Sequence, residues 1–301
     1  MYRYIYMNSV ESAKLAEHGY EIGKGTSYQK INHDMKVQGL DYSVVPEHSH
    51  GGVATFKHNS NPETYHIAHK GTQPTQKTGV RDVISDLKVA FGMGSYSKQA
   101  KARKNFTEKV VDAVDPKTLT MSGHSLGGFT LNHTLAKSKK VRDKLLMAHT
   151  YNAGSSFAFN NEMKTSARTK NDLKHRVIHH RTRGDVVSKG LTQKGFGVPF
   201  GTLKEYKVRP NQDEVGHEKL FKKYNDKMDL KSKDELKKMG WGSKALYAHH
   251  LSHFTERKPD PVEEKPKKKV TPWGISKKQM DKELSKKIKP QKGRRKLINE
   301  L

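Results

Sequence analysis

Residues 118–131 read Thr-Leu-Thr-Met-Ser-Gly-His-Ser-Leu-Gly-Gly-Phe-Thr-Leu, and no other stretch constrains the fold as tightly. The β-prone run 119–121 leads into Gly123-His124-Ser125-Leu126-Gly127, and an apolar pattern of helical period follows. Strand, Gly-x-Ser-x-Gly, helix is the order that a nucleophile elbow requires. There the serine sits on a very sharp turn, and a side chain at Gly123 or Gly127 would collide with neighbouring backbone. Strain lifts Ser125 Oγ clear of the sheet edge, and the helix beginning beside it offers N-terminal donors to a developing negative charge. A Gly-x-Ser-x-Gly also arises by chance in glycine-bearing loops. The flanking strand and helix favour the elbow.

Around this stretch, strand and helix patterns alternate. Residues 9–18 predict a helix opened by Ser9 and closed by Gly19, with Val10, Ala13, Leu15 and Ala16 apolar. The stretch 27–50 is mixed. The runs 53–56 and 65–68, separated by Asn59-Ser60-Asn61-Pro62, predict a hairpin, and 69–74 a turn. Val80, Val83, Ile84, Leu87 and Phe91 form a helical stripe that serves either as core or, over 83–97, as a mobile lid. A basic helix over 98–114 stops at Asp115-Pro116. Further strands are expected at 145–151, 176–180 and 203–208, with Lys-rich helical sequence at 213–238. Such alternation implies a mostly parallel sheet with helices on both faces.

Composition divides the chain. Of 301 residues, 58 are Lys or Arg against 31 Asp or Glu, a formal charge of +27 that attracts polyanions such as nucleic acid or anionic lipid head groups. Cysteine is absent, which excludes disulfides and thiolate nucleophiles or ligands. The N-terminus lacks a signal-like apolar region and no run reaches transmembrane length, so a soluble, intracellular protein is expected. Residues 1–254 form the expected globular domain. Residues 255–301 carry 16 Lys and Arg against 7 Asp and Glu, a net +9, with frequent prolines; a disordered basic tail is expected there.

Three segments stand out together: Gly-His-Ser-Leu-Gly-Gly at 123–128, His69-Lys-Gly-Thr-Gln73 followed by Asp82-Val-Ile-Ser-Asp-Leu87, and Gly184-Asp185-Val186-Val187. In this order they resemble the class 3 (fungal-type) lipases of the α/β-hydrolase fold. The second is similar to the family's oxyanion strand-turn and the third to its acid loop. Lys70 and Val186 stand where the family usually has arginine and proline, and Tyr151-Asn-Ala-Gly lacks the common Gly-x-Pro. The resemblance covers residues 50–255 and implies an acyl ester hydrolase with a Ser-Asp-His triad.

Roles follow residue by residue. Ser125 is the nucleophile, which needs an adjacent base and a stabilised oxyanion. The resemblance assigns the acid to Asp185, with Asp172 a weaker substitute, and the base to His250 in His250-Leu-Ser-His-Phe254, with His249 next in line. Leu126 N–H supplies one oxyanion donor, and by resemblance Thr72 supplies the other. His124 reads as a packing or hydrogen-bonding neighbour, and Asp82 and Asp86 as anchors of the adjoining helix. A rival reading gathers His249, His250, His253, His66 and His69 around a metal, but no carboxylate flanks them at site-like spacing. No cofactor or metal is called for. The expected partner is a lipid substrate, triacylglycerol or phospholipid, with an anionic membrane surface favoured by the charge. The alternative is a non-catalytic protein on a hydrolase scaffold whose basic tail binds nucleic acid or membrane.

Overall fold

The computed structural model describes residues 7–72, 95–154, 165–185, 187–188, 200–206 and 251–255. The expected turn at 73–74, the helical stripe and lid over 80–97 up to residue 94, the segment 213–238, His249 and His250, and the tail beyond 255 lie outside these residues.

Helix α1 spans Ser9–Gly23. Its cap is Asn8 rather than Ser9: the Asn8 side chain accepts from Val10 N and Glu11 N at 3.0 and 2.9 Å, while Glu11 reaches back to Asn8 N, a capping box. The helix runs through Gly19 to Gly23. An interior glycine costs a helix only about 1 kcal/mol, and here Gly19 lies against Ala54 and Ala68 of the sheet. The mixed stretch 27–50 resolves into α2 (Tyr28–Val37), strand β1 (Tyr42–Val44) and a 3-10 turn, Pro46–His48. Only Ile31 and Met35 are buried on α2, too few to mark a period in sequence.

The expected hairpin is present as β2 (Val53–His58) and β3 (Thr64–His69), antiparallel with Val53 opposite His69. The basic helix is α3 (Ser95–Val114), ended by Asp115 at φ 39° just before Pro116. There follow β4 (Thr118–His124), α4 (Leu126–Lys137), α5 (Lys139–Lys144), β5 (Leu145–Tyr151), α6 (Ala167–Leu173), β6 (Val177–Thr182), β7 (Thr202–Tyr206) and α7 (Ser252–Thr255). The seven strands lie side by side in chain order, antiparallel from β1 to β3 and parallel from β3 to β7. A mostly parallel sheet with a serine turn between β4 and α4 is the α/β-hydrolase architecture that the sequence implied.

Period-two alternation sends the two strand faces to different cores. Ile67, Leu119, Met121 and Val177 pack with Val110, Val111, Phe129 and Leu135 of α3 and α4. Ala54, Phe56 and Ala68 pack on the other face with Leu15, Ile31 and Met35 of α1 and α2. Two histidines of β3 follow the same alternation. His66 bonds Thr120 and Ser122 hydroxyls at 2.9 and 2.7 Å on the α1 face, and His69 bonds Thr130 and Thr107 hydroxyls, both at 3.0 Å, on the other. Burial holds both rings neutral, pushed down to about 3, with His149 adding to the shift of His66, and Arg103 and His133 to that of His69.

Candidate active site

Ser125 joins β4 to α4 at φ 56° and ψ −125°, a conformation that a non-glycine residue adopts only where its surroundings impose it. The glycines around it show what imposes it. A Cβ on Gly123 would lie 2.6 Å from Gly127 O and 2.7 Å from Gly128 N. One on Gly127 would lie 2.6 Å from His69 C and 2.8 Å from Lys70 C, and one on Gly128 2.6 Å from Ala153 Cβ. The Ser125 backbone is tied down by Ser125 N donating to Tyr151 O at 3.0 Å and by Phe129 N and Gly154 N donating to Ser125 O at 3.2 and 3.3 Å. Although Ser125 is the N-cap of α4, its side chain makes no capping bond. The hydroxyl is left for other chemistry, beside a helix N-terminus whose first N–H groups, Leu126 among them, have no acceptor within the helix.

The end of β3 comes up against this turn. A Cβ on Gly71 would strike Tyr20 Oη, lie 2.7 Å from His124 O and reach 3.1 Å from Ser125 Cβ. Thr72 follows and is exposed. Lys70 N donates to Gly52 O at 2.8 Å, and Lys70 O accepts from Arg103 Nη1. Arg103 is 8% exposed, and burial lowers its guanidinium to about 10, partly countered by Tyr20, so it remains charged at neutral pH. His124, as expected, is a hydrogen-bonding neighbour: its Nδ1 lies 2.8 Å from Tyr20 Oη. Burial raises the Tyr20 phenol well above its ordinary value, so the hydroxyl keeps its proton.

Asp185 is buried just after β6, on the turn begun by Gly184 at φ 88°. Its Oδ1 accepts from Val187 N at 3.1 Å, and its Oδ2 from Ser188 N at 2.9 Å and from Ser188 Oγ. Asn152, at φ 42°, joins the end of β5 to the end of β6: Asn152 N donates to His180 O and Thr182 N to Asn152 Oδ1, both at 2.8 Å. The strand ends stand level, His124 beside Tyr151 and Tyr151 beside His180. One strand therefore separates the serine turn from the Asp185 strand. Two spacings make about 10 Å, a gap of the size that a hydrogen-bonded imidazole bridges. Asp172 lies elsewhere, on α6, paired with Arg176 beyond the helix end.

His250 and His249 lie outside the described residues, but the chain that follows them is fixed. Leu251 and Phe254 pack in one cluster with Ala13, Ala16 and Tyr151. The Phe254 ring lies 5.1 Å from that of Tyr151, 6.1 Å from that of His180 and 5.8 Å from that of Tyr206. His180 in turn bonds His149 at 2.9 Å and Tyr206 Oη at 2.8 Å. His66 and His69 of the rival metal cluster do not share a site, because they point to opposite faces of β3 with both ring nitrogens bonded to hydroxyls. Among the described residues no group of three or more His, Asp or Glu could hold a metal ion, and no helix is long and apolar enough to cross a membrane.

Three residues at this site escape a reading by motif. Tyr20 lies beyond the helix end that Gly19 suggests, though Ala13, Ala16 and Tyr20 share a helical face. Arg103 looks like one more cation on a basic helix, yet it falls on the buried stripe of Ala100, Thr107, Val110 and Val111. Asn152 carries no signal beyond the tolerance of asparagine for positive φ.

No protein-family model matches the chain, and no curated protein matches it by sequence. Solved structures do. A Rhizomucor miehei lipase–propeptide complex aligns with TM-score 0.41 at 14% identity, over 66% of this chain and 67% of the lipase. The Lip2 lipase of Yarrowia lipolytica aligns with TM-score 0.40 at 15% identity, over 67% and 77%. MDLA of Penicillium cyclopium aligns with TM-score 0.40 at 13% identity, over 83% and 95%. The chain is thus similar in structure to fungal lipases.

Proposed function

We propose that the chain is a serine ester hydrolase that cleaves acyl esters of lipids through Ser125, Asp185 and His250. The observation that carries the reading is Ser125 itself: a non-glycine residue at φ 56° on a strand-to-helix turn, its side chain making no capping bond, with the Gly71 turn against it and buried Asp185 two strands away. In this reading Ser125 Oγ attacks the ester carbonyl as His250 takes its proton. The carbonyl oxygen becomes an oxyanion facing Leu126 N–H and Thr72 N–H. His250 returns the proton to the departing alcohol, leaving an acyl-enzyme. Water, deprotonated by the same imidazole, then releases the acid and restores Ser125. Asp185 holds the imidazole tautomer and steadies the imidazolium.

His250 is assigned by the resemblance of His250-Leu-Ser-His-Phe254 to the family's histidine segment, and what supports it is that the next residue, Leu251, packs with Tyr151 at the end of the strand between the serine and the acid. The charge of +27 supports substrates presented on an anionic phospholipid surface over neutral fat. The test is hydrolysis of a panel of triacylglycerol, phospholipid and soluble p-nitrophenyl esters by the wild type and by Ser125→Ala, Asp185→Ala and His250→Ala. The reading expects each variant to lose at least about three powers of ten in rate while staying folded. Ester turnover retained by folded Ser125→Ala would end it.

A further inference from the structure

The Lys70–Gly71 peptide is flanked on both sides. Its oxygen accepts from Arg103 Nη1, and Tyr20 Oη, bonded to His124, stands so close to Gly71 that a Cβ there would strike it. A peptide unit is planar, so fixing its C=O while packing against its other end restricts the plane and the direction in which the chain enters Thr72. Arg103 Nη1 also reaches Thr130 Oγ1 of α4 at 3.3 Å, which ties this peptide to the helix that starts at the serine. Room for the guanidinium is left by Gly52, where a Cβ would lie 2.7 Å from Nη2.

The charge of Arg103 is as informative as its bonds. Buried cations are ordinarily paired with carboxylates. Arg103 is 8% exposed, and among the described residues no carboxylate forms an ion pair with it. Its partners are a carbonyl and a hydroxyl. A fixed cation that no described carboxylate neutralises, behind a turn that must face an oxyanion, stabilises the charge that develops in the transition state.

We propose that Arg103 is a positioning residue: it orients the Lys70–Gly71 peptide toward Ser125, and its charge, which no described carboxylate pairs, favours the oxyanion. This assignment rests on the ester hydrolase reading above. Arg103→Met should lower kcat on p-nitrophenyl butyrate, and the rate of labelling by a fluorophosphonate, by about 100-fold with KM changed less than threefold. Arg103→Lys keeps the charge but not the planar fork, and should restore part of the loss. Tyr20→Phe removes the hydroxyl packed against the other end of the same peptide, so Arg103→Met and Tyr20→Phe should combine less than additively in kcat. Amide hydrogen exchange over residues 69–72 should quicken in Arg103→Met, a readout that does not depend on activity.

A wild type that neither hydrolyses esters nor takes the label would remove the functional reading, and the catalytic part of this assignment with it. Exchange would still test the clamp. An active wild type with unchanged kcat in folded Arg103→Met would overturn the assignment alone. So would a loss shared equally between kcat and thermal stability that Arg103→Lys does not relieve, or unchanged exchange at 69–72.

Discussion

Adding one methyl group at Gly127 tests whether the serine turn and the β3 turn are held as one unit. The Cβ of Gly127→Ala would strike His69 O and lie 2.6 Å from His69 C and 2.8 Å from Lys70 C, where ordinary contacts begin at 3.4 Å. Relief by movement of the β3 turn alone requires more than the roughly 0.8 Å that the His69 C contact by itself demands. The obstructing atoms are backbone, Arg103 and Gly52 hold that backbone, and Tyr20 Oη packs against Gly71, so no side chain can swing aside. Stability and activity should then part company. Overpacking costs about 1–3 kcal/mol, while alanine in a helix returns up to about 1 kcal/mol relative to glycine. The net loss should be no more than about 3 kcal/mol. A displacement approaching 1 Å between nucleophile and oxyanion donors costs about 100-fold in rate. Urea unfolding and kcat on a soluble ester measure the two. A Gly127→Ala protein with kcat within threefold of wild type would refute the coupling of the two turns.

The other expectations concern charge, acid and tail. Asp185→Asn should lower kcat by about four powers of ten and cost about 1–3 kcal/mol in urea unfolding, because an amide nitrogen would face donors from Val187 and Ser188; equal rates for mutant and wild type would exclude Asp185 as the acid. His250→Ala should approach Ser125→Ala in severity while His249→Ala costs little, and chelators should leave both proteins as they are; zinc-restored activity would transfer the chemistry to a metal. Stability should fall on acidification. His66 and His69 stay neutral down to about 3 when folded and titrate at 6.5 when unfolded, so below 6.5 the unfolded chain binds protons that the native state refuses. Each should cost about 2 kcal/mol by pH 5, and urea midpoints that stay level between pH 7.5 and 5 would contradict the assignment of neutral rings. Truncation after residue 255 should spare hydrolysis of a soluble ester yet weaken binding to anionic vesicles or DNA at low salt, with the difference shrinking as salt rises; equal binding by both forms would make the tail a passive extension.

The elements legible in the sequence were those whose burial leaves a period. β5 is a continuous apolar-rich run, and its bounds, Leu145–Tyr151, are those expected. The β2–β3 hairpin shows itself through alternation and an Asn-Pro turn, and the serine turn through glycines that nothing else could replace. Legibility fails where a contact is made across the chain. Asn8 caps α1 from a position where Ser9 is an equally good candidate by residue type. Arg103 and Tyr20 come from helices 83 residues apart in sequence and meet at one peptide, which no local pattern encodes. The clamp of Asn152 on β6 likewise exists only once β5 and β6 are paired.

Chemical labelling of Ser125 addresses the central claim most directly. A fluorophosphonate forms a covalent adduct only with a serine activated by a neighbouring base. Peptide mapping of the treated full-length protein should place the adduct on Ser125 alone, and Ser125→Ala should take none while unfolding in urea as the wild type does. A folded wild-type protein that takes no label, or takes it on another serine, would contradict the account.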